Sequence, residues 1–268
     1  MQLYFKELGS AHAGATPLVM LHGLFGSSDN WLGVAPKLAQ HRRVFLVDLR
    51  NHGISPHSDE MTFALMAGDI TEFLDARHVD RAHVLGHSLG GKVAMQFALT
   101  NQARVERLIV VDIASRAYAP EHLPIFKALL ALDLAQYHSR TEIEAALEPA
   151  IPDLSLRRFL LKNLKSSSPS SSFSRSFDWR IPLQSLFTNY SKLCEAIAPD
   201  PRHTRVFAKP TLLLRGGQSP YVSDADVPQI HQLFPQAKIE TIESARHWVH
   251  ADAPEEFVKR VSAFLDLN

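Results

Sequence analysis

The sequence predicts an α/β fold: a mostly parallel central sheet flanked by helices, with a helical cap inserted between two late strands. Three observations carry this expectation. Short, nearly continuous apolar runs recur at residues 18–21 (LVML), 44–48 (VFLVD), 82–85 (AHVL), 108–112 (LIVVD), 211–214 (TLLL) and 239–242 (IETI), the pattern of strands covered on both faces. Helical spacing fills most of the intervals, at residues 61–76, 88–100, 226–234 and 254–265, the last opening on a proline that suits a first helical turn. Strand alternating with helix means parallel strands joined by crossovers. The third observation is where the alternation stops. From about Ala114 to about Phe207 there are helical patterns at residues 123–134, 141–147, 154–164 and 183–197 but no convincing strand. Because strands resume at Thr211, the stretch reads as an insertion, dividing the chain into a first core part (1–115), a helical cap (116–207) and a second core part (208–268). The serine-rich run 166–176 (SSSPSSSFSRS) then reads as a mobile loop of the cap.

Composition removes whole classes of function. With 28 Lys+Arg against 28 Asp+Glu in 268 residues, 46% hydrophobic and 21% charged, the chain can bury enough surface to offset chain entropy and is not disordered. Balanced charge gives no bulk field for nucleic acid. Cys194 is the only thiol, which excludes an intramolecular disulfide and a cysteine-based zinc site. The first nine residues (MQLYFKELG) lack a basic segment followed by an apolar one, and charges interrupt every apolar run, so the expectation is a cytoplasmic protein without membrane insertion. Oligomeric state is not legible.

Chemistry concentrates in three places. Gly86-His87-Ser88-Leu89-Gly90 follows the strand at 82–85 and opens a helix, the strand-turn-helix setting of a nucleophile elbow that lifts the Ser88 hydroxyl to the carboxyl edge of the sheet. The helix amino end there favours developing negative charge. A competing reading comes from residues 86–92 (GHSLGGK), which satisfy seven positions of a phosphate-binding loop; Val93 stands where that loop needs Ser or Thr for magnesium. The second place is His22-Gly23-Leu24-Phe25-Gly26, directly after the strand at 18–21. An oxyanion needs two amide donors, assigned here to Leu24 and to Leu89, the residue after the nucleophile. His22 reads as a brace for its loop. The third is His247, in a loop after the last strand, the natural source of a general base. His250 is a nearby rival, and the two histidines have no third ligand cluster to suggest a metal site.

These residues resemble the α/β-hydrolase superfamily across essentially the whole chain: the early His-Gly loop, Asp48 to Ser55 (DLRNHGIS), the elbow and the late His247 occur in the family's order. More narrowly, DLRNHGIS, GHSLGG, VVDIA and GGQSPYVS resemble the YbfF-type acyl esterases and thioesterases and their eukaryotic relatives. The resemblance implies a serine esterase or thioesterase with a helical cap and no cofactor. The acid departs from the commonest pattern. Ser219 stands where an aspartate would follow the penultimate strand, and a serine cannot supply the charge that stabilises an imidazolium. Asp112, at the end of the strand at 108–112, and Asp224 are the candidates; Asp112 is preferred because a strand terminus holds its side chain more rigidly. Ser219 and His87 then read as supporting hydrogen-bond partners.

The implied reaction is acyl transfer to water. His247 takes the Ser88 proton, Ser88 attacks an ester or thioester carbonyl of a small to medium-chain acyl substrate, and the Leu24 and Leu89 amides hold the oxyanion. Substrate-pocket candidates are Phe25, Arg116 and Trp248. Cap residues Leu123, Phe126, Leu130, Phe159, Leu186 and Phe187 either line an acyl tunnel or form the cap's own core. Arg50, His52, Lys92 and Arg116 read as solvated surface charges rather than a binding patch for an anionic leaving group. Alternatives are a noncatalytic ligand-binding protein on this fold, or a perhydrolase or carbon-carbon bond hydrolase sharing the scaffold.

Overall fold

The computed structural model describes residues 1–10, 15–167, 176–197 and 206–266. Strands β1 (Phe5–Leu8), β2 (Leu18–Leu21), β3 (Val44–Val47), β4 (Ala82–His87) and β5 (Val105–Val111) precede the insertion, whose short strands are β6 (Leu164–Ser167) and β7 (Ser176–Trp179); β8 (Thr211–Gly216) and β9 (Ala237–Ile242) follow it. The helices are α1 (Ala35–Leu38), α2 (Phe63–Ala76), α3 (Leu89–Thr100), α4 (Leu123–Leu130), α5 (Arg140–Leu147), α6 (Leu154–Leu161), α7 (Leu183–Leu193), α8 (Val227–Leu233), α9 (Val249–Asp252) and α10 (Pro254–Leu265). Seven strands form one sheet in the order β1-β3-β2-β4-β5-β8-β9, parallel throughout except for β1, which pairs antiparallel with β3.

The middle of the sheet is buried because strands such as β2 and β3 are apolar on both faces. Val19, Leu21, Phe45 and Val47 point into one core with Met66 and Ile70 of α2 and Val93 and Phe97 of α3. Their neighbours Leu18, Met20, Val44 and Leu46 enter a second core with Phe257, Val261 and Phe264 of α10. Alternation by two therefore persists under an unbroken apolar sequence. Every parallel strand ends at the same edge, and the loops from β2, β4, β5 and β8 meet there.

Three expectations change. The first strand, β1, escaped the sequence reading because FKEL is too polar to register as buried; it is the antiparallel edge strand, where one face meets water. The insertion is not free of strands. Leu164–Ser167 pairs with Ser176–Trp179 as a two-stranded antiparallel ladder; Leu164 and Phe177 are buried while Lys165, Ser166 and Asp178 are exposed, too weak an alternation to read as strand. The serine-rich run expected as a loop thus contributes strand residues at both ends, and residues 168–175 lie outside the described residues. The insertion helices also stop earlier than their periodicity suggested, at Leu130, Leu161 and Leu193.

The insertion is built onto the core. Phe126, Ile143, Leu160 and Leu186 join the same apolar cluster as α2 and α3. Asn189 on α7 donates to the Asp59 carbonyl at 2.8 Å and accepts the Met61 N–H at 3.3 Å, and Asn163 donates to the Phe25 carbonyl at 2.8 Å.

Candidate active site

The turn between β4 and α3 forces Ser88 to φ 53°, ψ −117°, a region that L side chains rarely occupy and that marks stored strain. Glycines make it possible. A Cβ on Gly86 would sit 2.0 Å from the Gly90 carbonyl oxygen, and one on Gly90 would sit 2.4 Å from that of Leu21, so the elbow packs backbone against backbone. The Ser88 N–H donates to Val111 at 3.0 Å, which ties the elbow to the end of β5. The Leu24 and Leu89 N–H groups donate to no protein acceptor among the described residues.

Asp112 follows β5 at φ 51° and is fully buried. Its Oδ1 accepts the Gly216 N–H at 2.9 Å, and its Oδ2 accepts both the Ser219 hydroxyl and His247 Nδ1–H, the latter at 2.8 Å. Three donors converge on one carboxylate. This fixes the His247 tautomer with the proton on Nδ1 and leaves Nε2 free to take a proton. Asp224 is placed otherwise: it is exposed and pairs with Arg215 at 2.7 Å. Ser219 reaches Asp112 rather than His247 itself.

His87 extends from β4 and its Nε2–H donates to the His247 carbonyl at 2.8 Å. Burial, with His247 and His250 nearby, pushes its pKa well below the usual imidazole range, so it acts as a neutral brace. His250 lies against Trp31, the rings tilted with centroids 4.4 Å apart, and burial lowers its pKa to about 3.

Two further histidines shape the loop that carries Leu24. His22 donates from Nδ1 to the Gly23 carbonyl at 2.8 Å and accepts the Leu49 N–H at Nε2, 3.1 Å away. His52 donates from Nδ1 to the Arg50 carbonyl at 2.9 Å and accepts the Phe25 N–H at 3.2 Å. Each needs its neutral form, since a protonated Nε2 would face an N–H. Burial lowers their pKa values to about 4 and about 3. Folded-state values below the unfolded value of roughly 6.5 mean that the unfolded chain binds more protons between those limits. Stability is therefore fully present above pH 6.5 and falls as pH drops toward 4 and 3. Unfolding free energies from urea titrations at pH 7, 6, 5 and 4 should decline by roughly 1.4 kcal/mol per pH unit per buried histidine at the steepest; a flat profile would contradict neutral bracing.

Arg50, His52 and Lys92 are not solvated charges. All three are buried. Arg50 binds Asp69 with Nε at 2.6 Å and Nη2 at 2.8 Å, a two-pronged pair that locks the segment after β3 onto α2. Lys92 lies one turn after Ser88, and its ammonium donates to the carbonyls of Arg116, at 2.8 Å, and Glu195. Burial lowers its pKa to about 8. A lysine occupied by both ends of the insertion is not available to a phosphate, so the phosphate-loop reading has no support in this geometry. Arg116 is half-exposed, ion-paired to Asp226 at 2.8 Å and stacked over Tyr118; it does not border the cavity described next.

Ser88 and His247 open into one cavity of about 120 Å³, with Leu24, Phe25 and Trp248 also in its wall. Ser88 and His247 do not hydrogen-bond in this geometry; such bonds often tighten only around substrate. Of the six cap residues considered for an acyl tunnel, only Phe159 lines the cavity, its ring 5.2 Å from that of Trp248. Phe126 and Leu186 are fully buried in the core, Leu130 is 38% exposed, and Leu123 and Phe187 pack against the core. Helical periodicity finds an apolar face but not which of two apolar neighbours it meets. The cavity instead receives Ile125, Leu156 and Leu193 from α4, α6 and α7. Tyr221, whose ring stacks on His247, also escaped notice, although it stands in the GGQSPYVS segment. Among the described residues, no group of three metal-ligating side chains is assembled and no helix is long and apolar enough to cross a membrane.

Residues 16–254 match the alpha/beta hydrolase fold family. The chain is 39% identical to the sn-1-specific diacylglycerol lipase ABHD11 of Danio rerio, over 94% of this chain and 78% of that one. It is 32% identical to the esterase YbfF of Escherichia coli, covering 94% of this chain and 93% of the other. A solved marine microorganism esterase superposes with a TM-score of 0.91 at 36% identity, covering 98% and 99% of the two chains.

Proposed function

The chain belongs to the alpha/beta hydrolase fold family as a carboxylic ester hydrolase, and from that premise we propose that Ser88, His247 and Asp112 carry the reaction through an acyl-enzyme on Ser88. The observation that supports this assignment most is the His247–Asp112 hydrogen bond at 2.8 Å beside a serine held in an elbow. His247 Nε2 takes the Ser88 proton as Oγ attacks the acyl carbonyl, and the Leu24 and Leu89 N–H groups receive the oxyanion. His247 returns the proton to the departing alcohol or thiol, then activates the water that releases the acid.

The substrate we favour is an ester or acyl thioester with a short acyl group. At about 120 Å³ the cavity is smaller than the roughly 300–1,000 Å³ of sites for drug-sized ligands. Longer chains need the insertion, which reads as a cap, to move. Hydrolysis of p-nitrophenyl esters from acetyl to decanoyl should peak among the short chains and fall at least tenfold by decanoyl. A fluorophosphonate should label Ser88. No turnover across the series together with no labelling would favour a ligand-binding protein, and turnover rising steadily to decanoyl would overturn the short-chain reading.

A further inference from the structure

We propose that Tyr221 is a positioning residue for the general base, its ring face clamping the His247 imidazole and stabilising the imidazolium that forms when Ser88 loses its proton. This rests on the role given to His247 above. The two rings stack with centroids 4.0 Å apart and planes inclined by 22°, which lays the π face of the phenol along the ring that becomes cationic. An aromatic face attracts a cation through its quadrupole, and more strongly where water is excluded.

Tyr221 is fixed before any substrate arrives. Its carbonyl accepts the Tyr118 hydroxyl at 2.6 Å, Tyr118 Oη in turn accepts the Ala114 N–H at 2.8 Å, and the Tyr221 N–H donates to Ser219 Oγ at 3.3 Å. The loop preceding it is pinned by Gly217 N–H to Ile242 and by Gln218 N–H to Ala245, at 2.9 and 3.0 Å. The same segment thereby presents a hydroxyl to Asp112 and a ring to His247, so acid and base are oriented from one loop.

The groups around His247 leave room for such a contribution. Asp112 at the end of β5 supplies a carboxylate at the Nδ1 edge. His87 from β4, His250 from α9 and His122 just before α4 are each held below the ordinary imidazole range, chiefly by burial, and are uncharged at neutral pH. Glu121 lines the cavity and acts on Tyr221. No neighbouring imidazole therefore competes as a cation, and the imidazolium is met by the Asp112 carboxylate at its Nδ1 edge, by the stacked Tyr221 face, and by the tilted ring of His87 with centroids 4.7 Å apart.

The test compares Tyr221→Phe, Tyr221→Trp and Tyr221→Leu with wild type by NMR titration of the His247 ring and by the pH dependence of kcat/KM for p-nitrophenyl butyrate. With the aromatic face gone in Tyr221→Leu, the His247 titration and the acid limb of kcat/KM should both move down by roughly one pH unit, and kcat should fall about tenfold with KM little changed. Tyr221→Phe should keep the wild-type profile and Tyr221→Trp most of it. A Tyr221→Leu profile that stays in place or moves up, or a Tyr221→Phe enzyme as impaired as Tyr221→Leu, would overturn the proposal. Should the wild type show no esterase activity, the catalytic assignment fails separately, because the NMR titration reads the stack without turnover.

Discussion

Ser88→Ala should lower kcat for a reactive aryl ester by about four to six orders of magnitude while leaving KM within a few-fold of wild type. The size follows from what is lost. On the proposed mechanism no acyl-enzyme forms without Oγ and His247 has no proton to accept from it, which leaves only the proposed oxyanion donors and the cavity to act on the substrate. Stability should hardly change. The Ser88 side chain makes no capping hydrogen bond to α3, and alanine has the same discomfort at φ 53°. Glycine does not. Ser88→Gly should therefore be more stable than Ser88→Ala by about 1 kcal/mol, since it relieves a strained backbone at the cost of some chain entropy. Urea denaturation of the pair measures this, and kinetics on purified protein measures the rest. Residual turnover within a hundredfold of wild type, sensitive to fluorophosphonate at another residue, would move the nucleophile elsewhere.

Much of this arrangement could be read from the chain because its signals are local. Strands β2 and β3 are unbroken apolar runs, β4, β5 and β8 each carry an apolar stretch among polar residues, and the residues of the elbow are contiguous because one tight turn must combine two backbone contacts with the serine hydroxyl. What could not be read depends on partners distant in sequence. Lys92 looks like any helix lysine until Arg116 and Glu195, the latter 103 positions away, turn their carbonyls toward it. Arg50 needs Asp69. Phe126 and Phe159 have the same chemistry and similar helical settings, yet one is core and the other faces the cavity. The hairpin of β6 and β7 is held by backbone pairing that leaves almost no pattern in side chains.

Asp112 and Asp224 differ in the same way, and substituting each by asparagine separates them. Asp112→Asn replaces an oxygen by an NH₂ in a site where Gly216 N–H, the Ser219 hydroxyl and His247 Nδ1–H all point inward. An amide offers one acceptor oxygen, so its NH₂ must confront a donor. If it faces His247, the imidazole is driven to the tautomer with its proton on Nε2, which cannot accept from Ser88. If it faces Gly216 instead, the neutral amide still provides no charge for the imidazolium. Either way kcat should fall by about 10⁴-fold at neutral pH. Asp224→Asn removes only the exposed partner of Arg215, a pair worth about 0–1 kcal/mol, and activity should stay within twofold. Ser219→Ala lies between them, because the carboxylate keeps its charge and two of its three donors while the imidazole keeps its tautomer. The order of damage, Asp112 far above Ser219 and Ser219 above Asp224, follows from how many of these functions each substitution removes. Collapse of kcat in Asp224→Asn with Asp112→Asn spared would reverse the assignment of the acid.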